Sequence, residues 1–237
     1  MSLHRSGEGL SVKTGPTLRV SEPISLSDLA LATFCPRKLF YARQHDRSPP
    51  PEHDAAMELA FAYPALLAEG PAAVADRDVG IAPDALLDRL RTTRDRLDAW
   101  TSLVDPAARE ATLLGKDVVG RVAKVLEEPL APSLVSPGEP PPEGVWEPQS
   151  VRAVGAAKAL AWERESTVEQ AFVEYPRYGV VRRVEPTTRR AATYRRTLRT
   201  VRSMEGPPPR LGNDAKCGSC RFASECGVKT RSLRSLL

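Results

Sequence analysis

No apolar run in the 237-residue chain approaches the ~18 residues of a membrane-spanning helix, which excludes a transmembrane reading. The opening stretch MSLHRSGEGLSVKTGP has no apolar core of signal-peptide type, so the expectation is a cytoplasmic protein. Aromatic residues are scarce at 5% while prolines number 22, a balance that predicts long loops between rigid elements. Cysteine is limited to four residues, and without an export signal these do not read as a disulfide framework. They read as metal ligands or buried thiols. What remains is ordinary for a globular chain, with 41% hydrophobic and 27% charged residues, and the length suits one domain or a domain with a modest attachment.

The net charge of +4 conceals an uneven distribution. From Arg177 onward there are 15 basic and 4 acidic residues, whereas the preceding part carries 19 basic and 26 acidic. Between Arg177 and Arg202 nine arginines face a single acid, Glu185. One-ended positive charge favours a polyanion, nucleic acid first, and arginine's planar fork suits phosphate. The alternative is a solvated arginine-rich helix face. Arg182, Arg183, Arg189, Arg190, Arg195, Arg196 and Arg199 are the candidate nucleic-acid contacts. On a helix Arg189, Arg196 and Arg199 lie near one another, Arg190 turns away and Arg195 sits at the far edge. Tyr178 and Tyr194 are the aromatics nearest to this set, which favours phosphate tracking over base stacking.

Residues 1–23 are polar and glycine-containing and read as a loose arm. The segment SLSDLALATFCPRKLFYARQHD then predicts a helix capped by Ser27 and interrupted at Cys35-Pro36. Residues 51–70 and 84–104 carry apolar side chains at helical spacing. In the second of these, Leu86, Leu90, Leu97 and Trp100 form one stripe, which reads as scaffold. Residues 115–126 read as a strand or hairpin. The seven prolines between Glu128 and Pro148 leave room only for a short edge strand around 133–136. Helix is expected over 150–164, a hairpin over 171–175 and 179–184, and an arginine-rich helix over 187–204. This order predicts an α/β or α+β domain around one small sheet.

The tail contains Cys217-Gly-Ser-Cys220-Arg-Phe-Ala-Ser-Glu-Cys226. Its C-x2-C-x5-C spacing gathers three thiolates on one tight loop, and Cys35 is the one remaining cysteine able to complete a four-thiolate site. Zinc and an iron–sulfur cluster both accept such a donor set. Three grouped cysteines with one distant partner suit a cubane better, and zinc sites more often use two C-x2-C pairs. Either metal would be structural, because four cysteine ligands leave no position open.

The opening SDLALATFCPRKLFYARQ, with Cys-Pro-Arg-Lys after a short helix, resembles the start of the CRISPR-associated Cas-four family. These are RecB-like nucleases of the PD-(D/E)XK superfamily. The distal cysteine run preceded by PPPR, and the stretch EQAFVEYPRYGVVRRVEPTTRRAATYRRTLRTVRSMEGPPP, resemble the same family's C-terminal end. The likeness covers roughly residues 24–42 and 168–229. It implies a RecB-like nuclease sheet flanked by helices, spanning 24–206 and including Cys35, closed by a cluster segment over 207–237. It further implies a 4Fe-4S cluster on Cys35, Cys217, Cys220 and Cys226, DNA as partner, and a place beside CRISPR adaptation integrase proteins.

The family's nuclease centre needs a carboxylate after a glycine-bearing strand, then Glu-x-Lys on the next strand, a histidine upstream and a glutamine on the following helix. Two acids hold Mg²⁺ or Mn²⁺ and the lysine steadies the attacking water. Here Gly120-Arg121-Val122-Ala123 puts alanine at the first carboxylate. Pro132-Ser133-Leu134-Val135-Ser136 puts Leu134 and Ser136 at the Glu and Lys positions. Residues 153–157 lack the glutamine, and His53 alone stands for the histidine. The expected function is therefore a DNA-binding iron–sulfur protein, accessory to spacer acquisition or DNA repair, with nuclease activity lost. One alternative is an active exonuclease whose site is displaced onto Asp117, Glu127, Glu128 or Glu147 with Lys124 or Lys158. Another is a structural or protein-interaction module whose arginine helix meets an acidic partner.

Overall fold

A computed structural model describes residues 22–218 and 220–227. Most of the expected N-terminal arm lies outside these residues. After a two-residue strand β1 (Ile24–Ser25), the chain enters α1 (Leu26–Phe34). Its cap is Ser25, whose hydroxyl accepts from the Asp28 amide at 3.0 Å. Ser27, expected in that role, lies inside the first turn and shares a 3.0 Å hydrogen bond with the Ser25 hydroxyl. Cys35 is extended and Pro36 opens α2 (Pro36–Ala42), as proline at a first helical position does. Next come α3 (Glu52–Glu69), α4 (Pro83–Arg96) and α5 (Trp100–Val104). The single helix expected over 84–104 is thus two. Leu97 leaves helical geometry (φ −100°, ψ 103°), and the break brings Trp100 onto the Tyr63 ring, with centroids 5.8 Å apart and planes at 17°.

The β-structure forms two sheets rather than the one expected. The first has three strands, β1, β4 (Val118–Arg121) and β3 (Thr112–Leu114), in the order β1-β4-β3. The second has five, β2 (Ala108–Arg109), β5 (Lys124–Glu127), β6 (Leu130–Val135), β7 (Ala171–Tyr175) and β8 (Val180–Val184), in the order β2-β5-β6-β7-β8. The chain changes sheet between Val122 and Ala123. Both are buried, but in different cores.

Strand β6 corrects the reading of the proline-rich segment. It is six residues long and central, antiparallel to β5 with Lys124 opposite Ser133, and parallel to β7 with Ser133 opposite Phe172. Pro132 precedes the first parallel pair, so the residue without an N–H lies outside that ladder. Helix α6 (Glu147–Glu163) makes the crossover from β6 to β7. Along β7, Ala171, Val173 and Tyr175 face one core and Phe172 the other, the alternation a strand imposes.

The first core lies between the sheets and α1, α6 and α7 (Thr188–Arg202). Here α1 meets α6 so closely that a Cβ on Gly155 would come within 2.8 Å of the Leu26 side chain. The second core lies under α3, α4 and α5. No helix among the described residues is long and apolar enough to cross a membrane. A short α8 (Asp214–Gly218) ends the described helices.

Candidate cluster site and nucleic-acid interface

Cys35 occupies the corner where α1 gives way to α2. In the tail, successive tight turns carry the other three cysteines. The Cys217 amide donates to the Asn213 carbonyl at 2.9 Å, that of Cys220 to Cys217 at 3.1 Å, and that of Cys226 to Phe222 at 2.8 Å. The tail is fastened to the α1–α2 corner around these thiols. Arg37 donates to the Pro208 carbonyl at 2.8 Å and Lys216 to the Phe34 carbonyl at 3.2 Å. The Tyr41 and Phe222 rings stack with centroids 6.1 Å apart, and His45 Nε2 lies 3.2 Å from a Glu225 carboxylate oxygen.

All four thiols are free and half-buried, and all four line one small cavity of about 30 Å³. The structure thus brings Cys35 together with Cys217, Cys220 and Cys226. The cavity is edged by Arg37, Lys38 and Lys216 and by no carboxylate. Among the described residues, no group of three or more His, Cys, Asp or Glu side chains has the spacing of a formed metal site, and this includes the cysteines. Four sulfur donors, no carboxylate and a cationic fringe fit a thiolate-bound metal in chemistry.

Of the positions matching the nuclease centre, Ala123 and Leu134 are buried among apolar side chains. Ser136 accepts a 2.7 Å hydrogen bond from Gln149 Nε2, and Gln149 Oε1 in turn accepts from the Tyr175 hydroxyl. Burial pushes the Tyr175 phenol up to about 12, against smaller opposing contributions from Arg182 and the Trp146 backbone. Gln149 escaped the sequence reading because it lies one turn before the stretch in which a glutamine was expected. His53 lines a cleft of about 620 Å³ with Asp54, Glu58, Arg109, Glu110, Arg121 and Arg152. Arg121 pairs with Glu110 at 2.9 Å. Burial lowers the Arg152 pKa, and its Nε has no partner among the described residues.

Lys124 is wholly buried. Its Nζ donates to Glu174 Oε2 at 2.8 Å and to the Ala60 carbonyl at 2.7 Å, and the Ser133 hydroxyl donates to Glu174 Oε1 at 2.7 Å. Two of the four acids considered for a displaced centre are engaged in separate ion pairs. Asp117 pairs with Arg202 at 2.7 Å and Glu127 with Arg164 at 3.5 Å. Glu128 precedes Pro129 in the β5–β6 turn and Glu147 opens α6, while Lys158 lies over the Tyr194 ring.

The seven arginines proposed to meet nucleic acid fall on β8 and α7 but do not form one surface. Helix α7 buries Tyr194, Thr197, Leu198 and Val201, which leaves Arg189, Arg195, Arg196 and Arg199 exposed and Arg190 half-buried. Arg189 and Arg190 line a cleft of about 590 Å³ with Glu147, Thr187 and Thr193. Arg182 and Arg183 line a different one. Neither a protein-family model nor a curated protein matches the chain.

Proposed function

We propose that this chain is a CRISPR-associated, nuclease-type DNA-binding protein that carries a 4Fe-4S cluster and has lost its hydrolytic centre. It acts as an accessory in spacer acquisition or DNA repair, alongside an adaptation integrase. The observation that carries the loss of cutting is the burial of Ala123 and Leu134 at the carboxylate positions, with Ser136 at the lysine position tied to Gln149. Hard divalent cations need oxygen ligands, and an alanine and a leucine provide none.

Support for the cluster is the shared cavity of Cys35, Cys217, Cys220 and Cys226. These four residues would hold it. Ligated by four cysteines, the cluster supplies a structural cross-link between the α1–α2 corner and the tail. Support for DNA as partner is Arg189, Arg195, Arg196 and Arg199, which are exposed on α7 without carboxylate partners among the described residues, whereas Arg202 pairs with Asp117.

The test uses anaerobically purified protein and labelled DNA. The expected results are about four irons per chain with matching sulfide, no cutting with Mg²⁺ or Mn²⁺, and binding that weakens steeply with salt. One equivalent of zinc without sulfide would overturn the cluster. Metal-dependent cutting abolished by Glu127→Gln or Glu128→Gln would establish the displaced-site exonuclease instead.

A further inference from the structure

Helix α4 sorts its arginines by face. Arg91 pairs with Asp88 at 2.7 Å and Arg94 with Asp95 at 2.9 Å. Arg89 and Arg96, two turns apart on another face, have no carboxylate within 4.0 Å among the described residues. They line an open groove of about 430 Å³ whose opposite wall is β8, from Val180 to Arg183. No acidic side chain and no aromatic ring lines it.

Adjacent strand residues point to opposite faces, and here they separate Arg182 from Arg183. Arg182 reaches away, donating to the Pro142 carbonyl at 3.3 Å. Arg183 turns to the α4–α5 side, where its nearest counter-charge, the almost fully exposed Asp98, is 3.7 Å away. Such a pair is weak and screened by salt. The spacing of the two walls is fixed at one end. Gly179 has φ +65°, and a Cβ there would come within 2.6 Å of the Leu86 carbonyl oxygen. The Thr93 hydroxyl donates to the Gly179 carbonyl at 2.9 Å. Two guanidinium groups without a carboxylate partner among the described residues, Arg89 and Arg96, and a third with one weak, exposed partner, Arg183, therefore line one preformed groove from elements far apart in sequence. Arg89 and Arg96 lie ~10 Å apart along the helix axis, a span of about three phosphate steps at ~3.4 Å axial rise per strand.

We propose that the α4–β8 groove binds the phosphodiester backbone of nucleic acid through Arg89, Arg96 and Arg183. This deepens the DNA-binding reading, on which it rests, and moves the principal contact from α7 to the opposite side of the five-stranded sheet. With no ring in the groove to stack on a base, the contact is independent of sequence.

The experiment measures binding of a labelled 30-nucleotide probe, single- and double-stranded, across a salt series. The variants are R89A/R96A/R183A, R189E/R196E/R199E and the control R91A/R94A. A second groove variant, R89A/R96A, leaves the strand untouched in case the triple variant folds poorly. The groove variants are expected to lose at least tenfold in affinity. Each lost phosphate contact should flatten the logarithmic salt slope by about 0.9 for duplex, and the control should bind like wild type. Wild-type affinity in both groove variants, with loss confined to the α7 variant, overturns this proposal and leaves the DNA-binding reading intact. A wild-type chain that binds no probe overturns that reading itself. Tighter wild-type binding to polyglutamate than to DNA, abolished in the groove variants, identifies an acidic protein partner and also overturns the proposal.

Discussion

Lys124 Nζ and Glu174 Oε2 are 2.8 Å apart with both side chains fully buried, joining β5 to β7 across the central strand β6. Ala60 and Ser133 supply the remaining hydrogen bonds. Removing either charge strands the other in an apolar core. Lys124→Met and Glu174→Leu should each destabilise the fold by ~3–5 kcal/mol, and the double variant K124M/E174L by much less than their sum. Urea denaturation of the four proteins measures this, and additive losses would show that the pair is not coupled.

Asp28 gives a pH signature. Burial alone would raise its pKa, but hydrogen bonds from Arg47 and Arg43, at 2.6 and 2.9 Å, outweigh it and hold the carboxyl below its ordinary 3.8. Its contribution is therefore present above that ordinary value and lost as pH falls through the lower value of the folded state. Asp28→Asn should cost ~1–3 kcal/mol at neutral pH, the usual scale for charge-assisted bonds. The gap to wild type should close towards pH ~2. Denaturation at the two pH values tests it, and a gap that widens on acidification would contradict the assignment.

The proposed cluster predicts equal metal loss on replacing cysteines far apart in the chain. Cys35→Ser should release iron as fully as Cys220→Ser, and both should speed proteolysis at the tail and at the α1–α2 corner together. Full iron retention in Cys35→Ser would remove Cys35 from the ligand set.

Gln149 bridges Ser136 and Tyr175. Gln149→Leu leaves two hydroxyls unpaired and should cost ~2–4 kcal/mol, while Tyr175→Phe removes one and should cost about 1. DNA affinity should be unchanged in both. Thermal denaturation and the probe titration read these two effects separately. An affinity loss would place the triad in the binding surface.

The elements legible in the sequence are those with strong local periodicity. Helix α3, helix α7 and the β7–β8 hairpin fall close to their expected limits, because each repeats its apolar pattern over its whole length. Strand β6 was legible only as a short edge strand around 133–136, because Pro129, Pro132 and Pro137 signal breakage, and only the register with β7 shows that Pro132 escapes the parallel ladder. The second sheet was illegible for a similar reason. A single residue step from Val122 to Ala123 sends the chain into another core, without any turn signal. Glu174 reads in sequence as one acid in an apolar strand, and its partner lies 50 residues earlier. The four cysteines were legible as a set because their number and grouping need no tertiary information. Arg89 and Arg96 were counted with the acidic part of the chain, where net charge hides the groove that they share with Arg183.

The fastening of the tail to the α1–α2 corner also sets an order of assembly. Arg37 meets Pro208 across 171 residues of chain, and His45 meets Glu225 across 180. A nascent chain therefore exposes the α1–α2 corner, with Cys35 on it, while the intervening residues are made. That surface gains its cover only when the residues from Pro208 to Cys226 have left the ribosome. A chain ending before Pro208 would leave Cys35 and two aromatic rings, Phe34 and Tyr41, without the Lys216 and Phe222 contacts that cover them.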